Sequence, residues 1–222
     1  MKTLIIIPAY NEQANIKALV EDILSYGYDY LIINDKSTDD TRDVIKENNF
    51  NNLDLAVNVG IAGVTRIGFK YAYENNYDCV VCVDGDGQHQ PKYVHSLIKE
   101  IENGNDYVVG SRFVDKKKPW SMRMLGSRLI CFFIRLKTGV AVKDPTSGMR
   151  ALGKKVIKDF ANGMNFYAEP DTMCYTLYRG YKVKEIQVEM KDRENGTSYF
   201  HNPFKTVKYM IGVILSIIFV QW

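Results

Sequence analysis

The chain has 222 residues, 46% hydrophobic and 25% charged, which suits one domain with a sizeable core. A net charge of +3 is too small to argue for nucleic acid as a partner, and no stretch interleaves aromatic and basic side chains in an RNA-binding pattern. The four cysteines make no disulfide framework and the apolar run 4–7 is too short for a signal peptide, so the expected compartment is the reducing cytoplasm.

Residues 4–7 read as a first strand, closed by the polar turn 8–12. Ile16, Leu19, Val20, Ile23 and Leu24 then recur at helical spacing. A second strand is expected over 30–33, with the turn 34–39 and a helix over 41–47. A third strand over 53–57 leads through the turn 58–63 into a helix over 64–73. The fourth, 79–83, ends in the turn 84–88 and is followed by a helix over 93–101 and a fifth strand over 107–109. This alternation predicts an α/β fold, a largely parallel sheet with helices on both faces. Ligands in such sheets bind beyond the carboxyl ends of the strands, so the four polar turns should converge on one cleft. Cys79 and Cys82 lie three apart within a strand and face opposite sides, which favours two core positions over a metal or redox pair.

The turn Asp84-Gly85-Asp86-Gly87-Gln88 carries two carboxylates and a carboxamide at the end of a buried strand. Glycines permit a sharp turn, and the acids can then converge on a hard cation such as Mg2+ or Mn2+. An Asp/Gly-rich turn that binds nothing is the alternative for this motif taken alone. The first turn lacks the glycine-rich loop of dinucleotide-binding proteins, and no Walker loop occurs, which removes the main support for an oxidoreductase or a P-loop enzyme.

Beyond Arg112 the pattern changes to a basic loop, a helix over 121–137, a turn over 143–148, a helix near 171–178 and a strand over 183–190. This half is expected to close the cleft and bind a second substrate. Lys116, Lys117 and Lys118 read as a solvated loop, with attraction to an anionic membrane as the alternative. The stretch 205–222 is apolar nearly all round but short for a bilayer span, which needs about 20 apolar residues. It leaves open an interfacial anchor with Lys205, Lys208 and Trp222 at the headgroups, a helix buried in a partner or oligomer, a truncated bilayer span, and a core helix. The expected division is therefore a domain over 1–204, its donor half 1–112 and acceptor half 113–204, followed by an apolar helix over 205–222.

Six segments together resemble the family 2 glycosyltransferases, and among them the dolichyl- and polyprenyl-phosphate sugar synthases. They are Pro8-Ala9-Tyr10-Asn11-Glu12, the run from Asp35 to Thr41, Asn58-Val59-Gly60, the run from Asp84 to His89, Gly110-Ser111-Arg112-Phe113, and Asp144-Pro145-Thr146-Ser147-Gly148-Met149-Arg150. The order is that of the family and spans most of the chain. The Asp-x-Asp also resembles the haloacid dehalogenase phosphatase motif, but that motif sits on a first strand and this one ends the fourth.

The family 2 resemblance implies a GT-A fold, a nucleotide-sugar donor, Mg2+ or Mn2+ as cofactor, and inversion at the anomeric carbon. It implies donor binding by Pro8, Tyr10, Glu12, Asp35, Asn58, Gly60 and Asp84, with Asp35 on the base. Asp84, Asp86 and Gln88 would be metal ligands, and Asp86 and Arg112 catalytic. Arg112, Arg123, Ser127, Asp144, Thr146, Ser147, Arg150 and Arg193 would bind the acceptor and its phosphate. A phosphate acceptor is mostly a dianion at neutral pH and needs no base; a sugar-hydroxyl acceptor would need one, and Asp171 or Glu169 stands where the family places it. Helix capping is the plainer reading of Asp35 and of Asp171. Asn34, Lys36 and Tyr199 depart from the family pattern, which keeps a non-catalytic nucleotide-binding subunit as an alternative. The implied reaction is transfer from UDP-GlcNAc or UDP-glucose to undecaprenyl phosphate, for cell-wall or surface polysaccharide. The implied location is peripheral, at the cytoplasmic face of the membrane; a small membrane-protein partner and a homo-oligomer stay open.

Overall fold

In the computed structural model of the chain, the described residues are 1–162, 170–191 and 203–219; the side chains of Arg123 and of residues 203–206 and 208 fall outside this description. The strands are β1 Thr3–Ala9, β2 Asp29–Asn34, β3 Asn52–Asp54, β4 Cys79–Cys82, β5 Tyr107–Ser111, β6 Arg150–Gly153 and β7 Val183–Gln187. They form one sheet in the order β3-β2-β1-β4-β6-β5-β7. All pairings are parallel except those of β6, which runs antiparallel to both β4 and β5.

The helices are α1 Ile16–Ser25, α2 Thr41–Glu47, α3 Gly60–Glu74, α4 Val94–Glu102, α5 Met122–Thr138, α6 Lys154–Ala161, α7 Pro170–Tyr178 and α8 Pro203–Phe219. Because β1 is buried on both faces, its sequence is a continuous apolar run rather than an alternating one. Ile5 and Ile7 enter a core shared with α1, α2 and α4, whereas Leu4 and Ile6 enter one shared with α3, α6 and α7. The same alternation sends Cys79 into the first core and Cys82 into the second, and all four cysteines are free thiols. The mostly parallel, doubly covered sheet is therefore as expected.

Three differences are instructive. β3 stops at Asp54, with Val57 exposed beyond it. β7 stops at Gln187 rather than running on to residue 190. β6 and α6 fall where a turn was expected to lead into unassigned chain. A four-residue strand headed by an arginine has little apolar signature, yet all four residues are buried. Its antiparallel course has a consequence for the cleft. Arg150 lies opposite Cys82 at the end of β4 and Val109 near the end of β5, so the turn before β6 arrives where β4 and β5 finish.

Candidate active site

The donor-side turns are stapled to one another through backbone groups. Gly85 N–H donates to the Pro8 carbonyl at 3.2 Å, and Asp35 N–H donates to the Ala9 carbonyl at 2.9 Å. The Asp35 carboxylate is buried and accepts from Val59 N–H at 2.7 Å and Gly60 N–H at 2.8 Å, while Asn58 Nδ2 donates to the Asp35 carbonyl at 2.9 Å. Asp35 thus satisfies amides at the start of α3, where a carboxylate is also favoured by the helix dipole. A carboxylate has about four acceptor sites, so this anchoring leaves capacity for a base N–H. The helix after the Ser37–Asp40 turn is served by Asp39 instead, which accepts from Thr41 N at 3.0 Å. Glu12 is tied to the same corner, its N–H donating to Thr41 Oγ1 at 2.8 Å, whereas the Tyr10 side chain stands in solvent.

Two of the three departures from the family pattern, Asn34 and Lys36, lie among the described residues. Asn34 donates to Asp54 Oδ1 at 2.8 Å and accepts from the Ser37 hydroxyl at 2.6 Å. The amide serves both directions, whereas a carboxylate there would face Asp54 as a like charge. Lys36 has φ 55°, a left-handed conformation that costs a residue with a Cβ about 1 kcal/mol.

The turn after β4 is held from both sides. Asp86 Oδ1 accepts from Gln88 N–H at 3.0 Å, and Gly87 at φ 73° makes the left-handed step. Gln88 Nε2 donates to the Lys191 carbonyl at 3.2 Å, and Lys191 N–H returns to the Gln88 carbonyl at 3.0 Å. His89 is buried and its Nδ1 accepts from Asp84 N–H at 2.9 Å, so the neutral ring carries its proton on Nε2. The imidazole therefore supports the turn. Asp84, Asp86 and Gln88 offer carboxylate and amide oxygens, the donor type that Mg2+ and Mn2+ prefer. Among the described residues no group of three or more His, Cys, Asp or Glu side chains is arranged to hold a metal. A two-carboxylate set fits a cation that takes its remaining ligands from substrate phosphate and water.

On the other side of the cleft, Asp144 is fully buried and grips Arg112 in fork geometry. Oδ2 accepts from Arg112 Nε at 2.7 Å and from its backbone N–H at 3.0 Å, and Oδ1 accepts from Nη2 at 2.8 Å. Thr146 Oγ1 joins them, 3.1 Å from Nη2. Ser147 is buried, with its hydroxyl donating to the Gly110 carbonyl at 2.5 Å. Glu185 and Gln187, which alternate along β7, support this corner and have no other signal in the sequence than that period of two. Glu185 accepts from Lys143 N–H and Asp144 N–H, each at 2.7 Å, and Gln187 Nε2 donates to the Arg112 carbonyl at 3.1 Å.

The two sides meet at Gly148. A Cβ there would stand 2.4 Å from Asp84 Oδ2 and 3.0 Å from His89 Cε1, so only glycine lets the turn 144–148 lie against the Asp84 carboxylate. Ser127 lies in α5, buried, and receives Lys118 Nζ at 2.8 Å; the same ammonium is 3.3 Å from Cys131 Sγ. The solvated-loop reading therefore holds for Lys116, in an exposed ion pair with Glu189, and fails for Lys118, whose aliphatic stem lets it reach α5. Arg150 is buried in β6, where Nη1 donates to Tyr107 Oη at 3.0 Å and Thr172 Oγ1 at 2.9 Å. It braces the floor of the cleft against α7. Asp171 is fully enclosed in the first turn of α7. Its charge, after burial, is the second cause that pushes the Cys174 thiol up to about 12. Arg123 lies on α5, its side chain outside the described residues, as are Glu169, Arg193 and Tyr199.

The model of the family described as Glycosyl transferase family 2 matches residues 4–160. The UDP-N-acetylglucosamine--dolichyl-phosphate N-acetylglucosaminyltransferase of Methanococcus voltae is 37% identical, covering 69% of this chain and 70% of its own. The polyprenol monophosphomannose synthase of Mycolicibacterium smegmatis is 25% identical over 89% of this chain and 80% of its own. Among solved structures, glucosyl-3-phosphoglycerate synthase from Mycobacterium tuberculosis, in complex with Mn2+, UDP-glucose and phosphoglyceric acid, superposes with a TM-score of 0.74 at 16% identity. That likeness covers 97% of this chain and 79% of the other, and it shows the shared fold. The chain belongs to glycosyl transferase family 2 and is a glycosyltransferase of GT-A architecture.

Proposed function

We propose that this family 2 glycosyltransferase moves a sugar, with inversion, from a nucleotide diphosphate to a polyprenyl phosphate such as undecaprenyl phosphate. The reaction takes place at the cytoplasmic face of the membrane and feeds cell-wall or surface polysaccharide synthesis. The observation that carries this reading is the close approach at Gly148, which sets the end of the turn that carries Asp144 and Thr146 against Asp84. A diphosphate leaving group at the β4 turn and an acceptor phosphate near the Arg112 corner would then be neighbours, with the anomeric carbon between them.

In this arrangement a phosphate oxygen of the acceptor attacks the anomeric carbon from the face opposite the diphosphate. The new C–O bond forms as the bond to the nucleoside diphosphate breaks. The acceptor is mostly dianionic at neutral pH, so no proton has to be removed from it. Asp144 holds the Arg112 guanidinium planar and in register, and Lys118 brings a cation to the Ser127 hydroxyl. The residues that would hold a divalent cation are Asp84, Asp86 and Gln88, and when bound it would offset the charge collecting on the diphosphate. For the donor, UDP-GlcNAc is favoured over UDP-glucose by the name of the Methanococcus voltae relative. A sugar-hydroxyl acceptor would need a base, and the enclosure of Asp171 in α7 weighs against it in that role.

The test is transfer from radiolabelled nucleotide sugars to undecaprenyl phosphate in detergent with Mg2+ or Mn2+, read as label extracted into organic solvent. EDTA-sensitive extractable label identifies the reaction and its donor. Label found only in water-soluble glycoside would move the assignment to a hydroxyl acceptor.

A further inference from the structure

The loop that leaves β5 carries two cations of the acceptor side, Arg112 and Lys118, with one aromatic residue, Phe113, between them in the chain. Phe113 is half-buried. Among the described residues, none of the three apolar clusters includes it, so packing into a core does not account for a phenylalanine at this position. Its ring meets charge instead. The guanidinium carbon of Arg112 stands 5.2 Å from the ring centroid, and the Lys118 ammonium 5.5 Å from it. Both lie within the roughly 6 Å over which a cation is drawn to the electron-rich face of a ring.

The backbone of the loop is fixed by other groups. Phe113 N–H donates to Ser111 Oγ at 3.3 Å. On either side, the Arg112 carbonyl accepts from Gln187 Nε2 at 3.1 Å, the Val114 carbonyl accepts from Lys143 Nζ at 2.7 Å, and Asp115 N–H donates to Gln187 Oε1 at 2.9 Å. At the far end Arg128 Nη2 donates to the Lys118 carbonyl at 2.8 Å. What the ring adds therefore falls on the two side chains. Arg112 is already aimed by the Asp144 fork, whereas Lys118 has a flexible four-carbon stem whose tip is met by Ser127 and Cys131. Two like charges gathered near one phosphate repel each other, and the negative face of a ring lowers that cost before any phosphate arrives. An aliphatic side chain of similar bulk has no such field.

We infer that Phe113 is a positioning residue for the acceptor phosphate. Through the charge distribution of its ring, and not through its bulk, it holds Arg112 and Lys118 together so that both can face one phosphate. The inference rests on the proposed phosphate acceptor and adds to it a residue that acts through two others.

The experiment replaces Phe113 by phenylalanines bearing one, two and three ring fluorines, which drain the ring face stepwise at nearly constant size, alongside Phe113→Tyr and Phe113→Leu. Binding of a short, water-soluble prenyl phosphate to the full chain is measured by titration calorimetry, with UDP and Mn2+ as the control on the donor side. The dissociation constant for the prenyl phosphate should rise with each fluorine, to about tenfold at three and by a similar factor for Phe113→Leu, with Phe113→Tyr near wild type. Melting temperature and affinity for UDP should stay unchanged along the fluorine series, and KM for the prenyl phosphate should climb by the same steps at nearly constant kcat. Affinity indifferent to fluorine overturns the inference, as does a loss that UDP binding shares, since the loop would then merely have loosened. Tighter binding on fluorination overturns it too, because a prenyl chain resting on the ring gains from added apolar surface. A wild-type chain that does not bind prenyl phosphate overturns it together with the proposed acceptor. Binding that weakens with fluorine in a chain that transfers no sugar leaves Phe113 in its role and defeats the enzymatic reading alone.

Discussion

Replacing Asp144 by Asn tests whether the Arg112 clamp organises the acceptor side. The carboxylate receives three donors from Arg112, at 2.7, 2.8 and 3.0 Å, and it is wholly buried while the guanidinium side chain is 20% exposed. Asparagine keeps one acceptor oxygen and turns an NH2 group toward one set of N–H donors, so at least one arm of the fork is lost. Removing one partner of a buried pair costs about 3–5 kcal/mol. Partial hydration of Arg112 recovers some of that, which leaves about 3 kcal/mol, or roughly a 150-fold rise in the unfolding constant. For a chain of this length the melting temperature should fall by about 6–12 °C. The assay is urea unfolding followed by circular dichroism, where the midpoint should drop with an unchanged slope. In the transfer assay KM for the lipid phosphate should rise more than kcat falls. A loss under about 1 kcal/mol, the range of exposed ion pairs, would refute the reasoning.

Gly148→Ala should reduce transfer about 100-fold or more with a small change in melting temperature, because the added methyl falls on the Asp84 carboxylate; near-normal transfer would show that the turn does not bear on Asp84. Glu185→Ala removes two carboxylate-to-amide hydrogen bonds from residues 143 and 144 and should cost about 2–3 kcal/mol, measured by urea melts. Glu185→Gln, which retains one acceptor, should lie between that variant and wild type. Burial pushes the Cys79 and Cys174 thiols up to about 12, with like charges adding, against an ordinary value of 9.0. They should stay silent to an aromatic disulfide reagent at pH 8 until the chain is unfolded, when four thiols should react. Because the unfolded chain loses these protons first, stability is full below about pH 9 and should fall between pH 9 and 12. The slope approaches about 1.4 kcal/mol per pH unit for each thiol.

What could be read from the sequence was what depends on neighbours along the chain. The buried strands β1 and β4 announce themselves as unbroken apolar runs, and the polar turns after them fall at the cleft because a parallel sheet leaves its carboxyl ends there. Ser121 ahead of α5 is a helix cap, with its hydroxyl accepting from Met124 N–H at 3.2 Å. The illegible parts all rest on distant partners. Nothing near Arg150 says that Tyr107 and Thr172 will satisfy a buried guanidinium, so β6 is invisible to pattern. The plainer reading of Asp35, a cap for the helix beside it, meets a carboxylate that holds the start of α3 instead, some 25 residues on. In α8 an apolar surface nearly all round hides the distinction that matters, between the row against α7 and the row that faces outward.

The two sides of the cleft are built by different physics, and this constrains where charge can act. The donor side is held largely by carboxylates and amides that accept or donate single hydrogen bonds, as Asp35 does with the start of α3 and Asp86 with Gln88 N–H. On the acceptor side Arg112 and Asp144 form a pair with no net charge. Such a pair orients donors well but leaves a phosphate dianion uncompensated. In the proposed reaction that charge must be met by cations outside the fork, and Lys118, held against Ser127 of α5, is one such cation. Lys118→Met should therefore weaken acceptor binding while sparing the donor, giving a raised KM for the prenyl phosphate at an unchanged KM for the nucleotide sugar. Equal effects on both constants would mean that Lys118 only packs the loop onto α5, and that the fork itself carries the recognition.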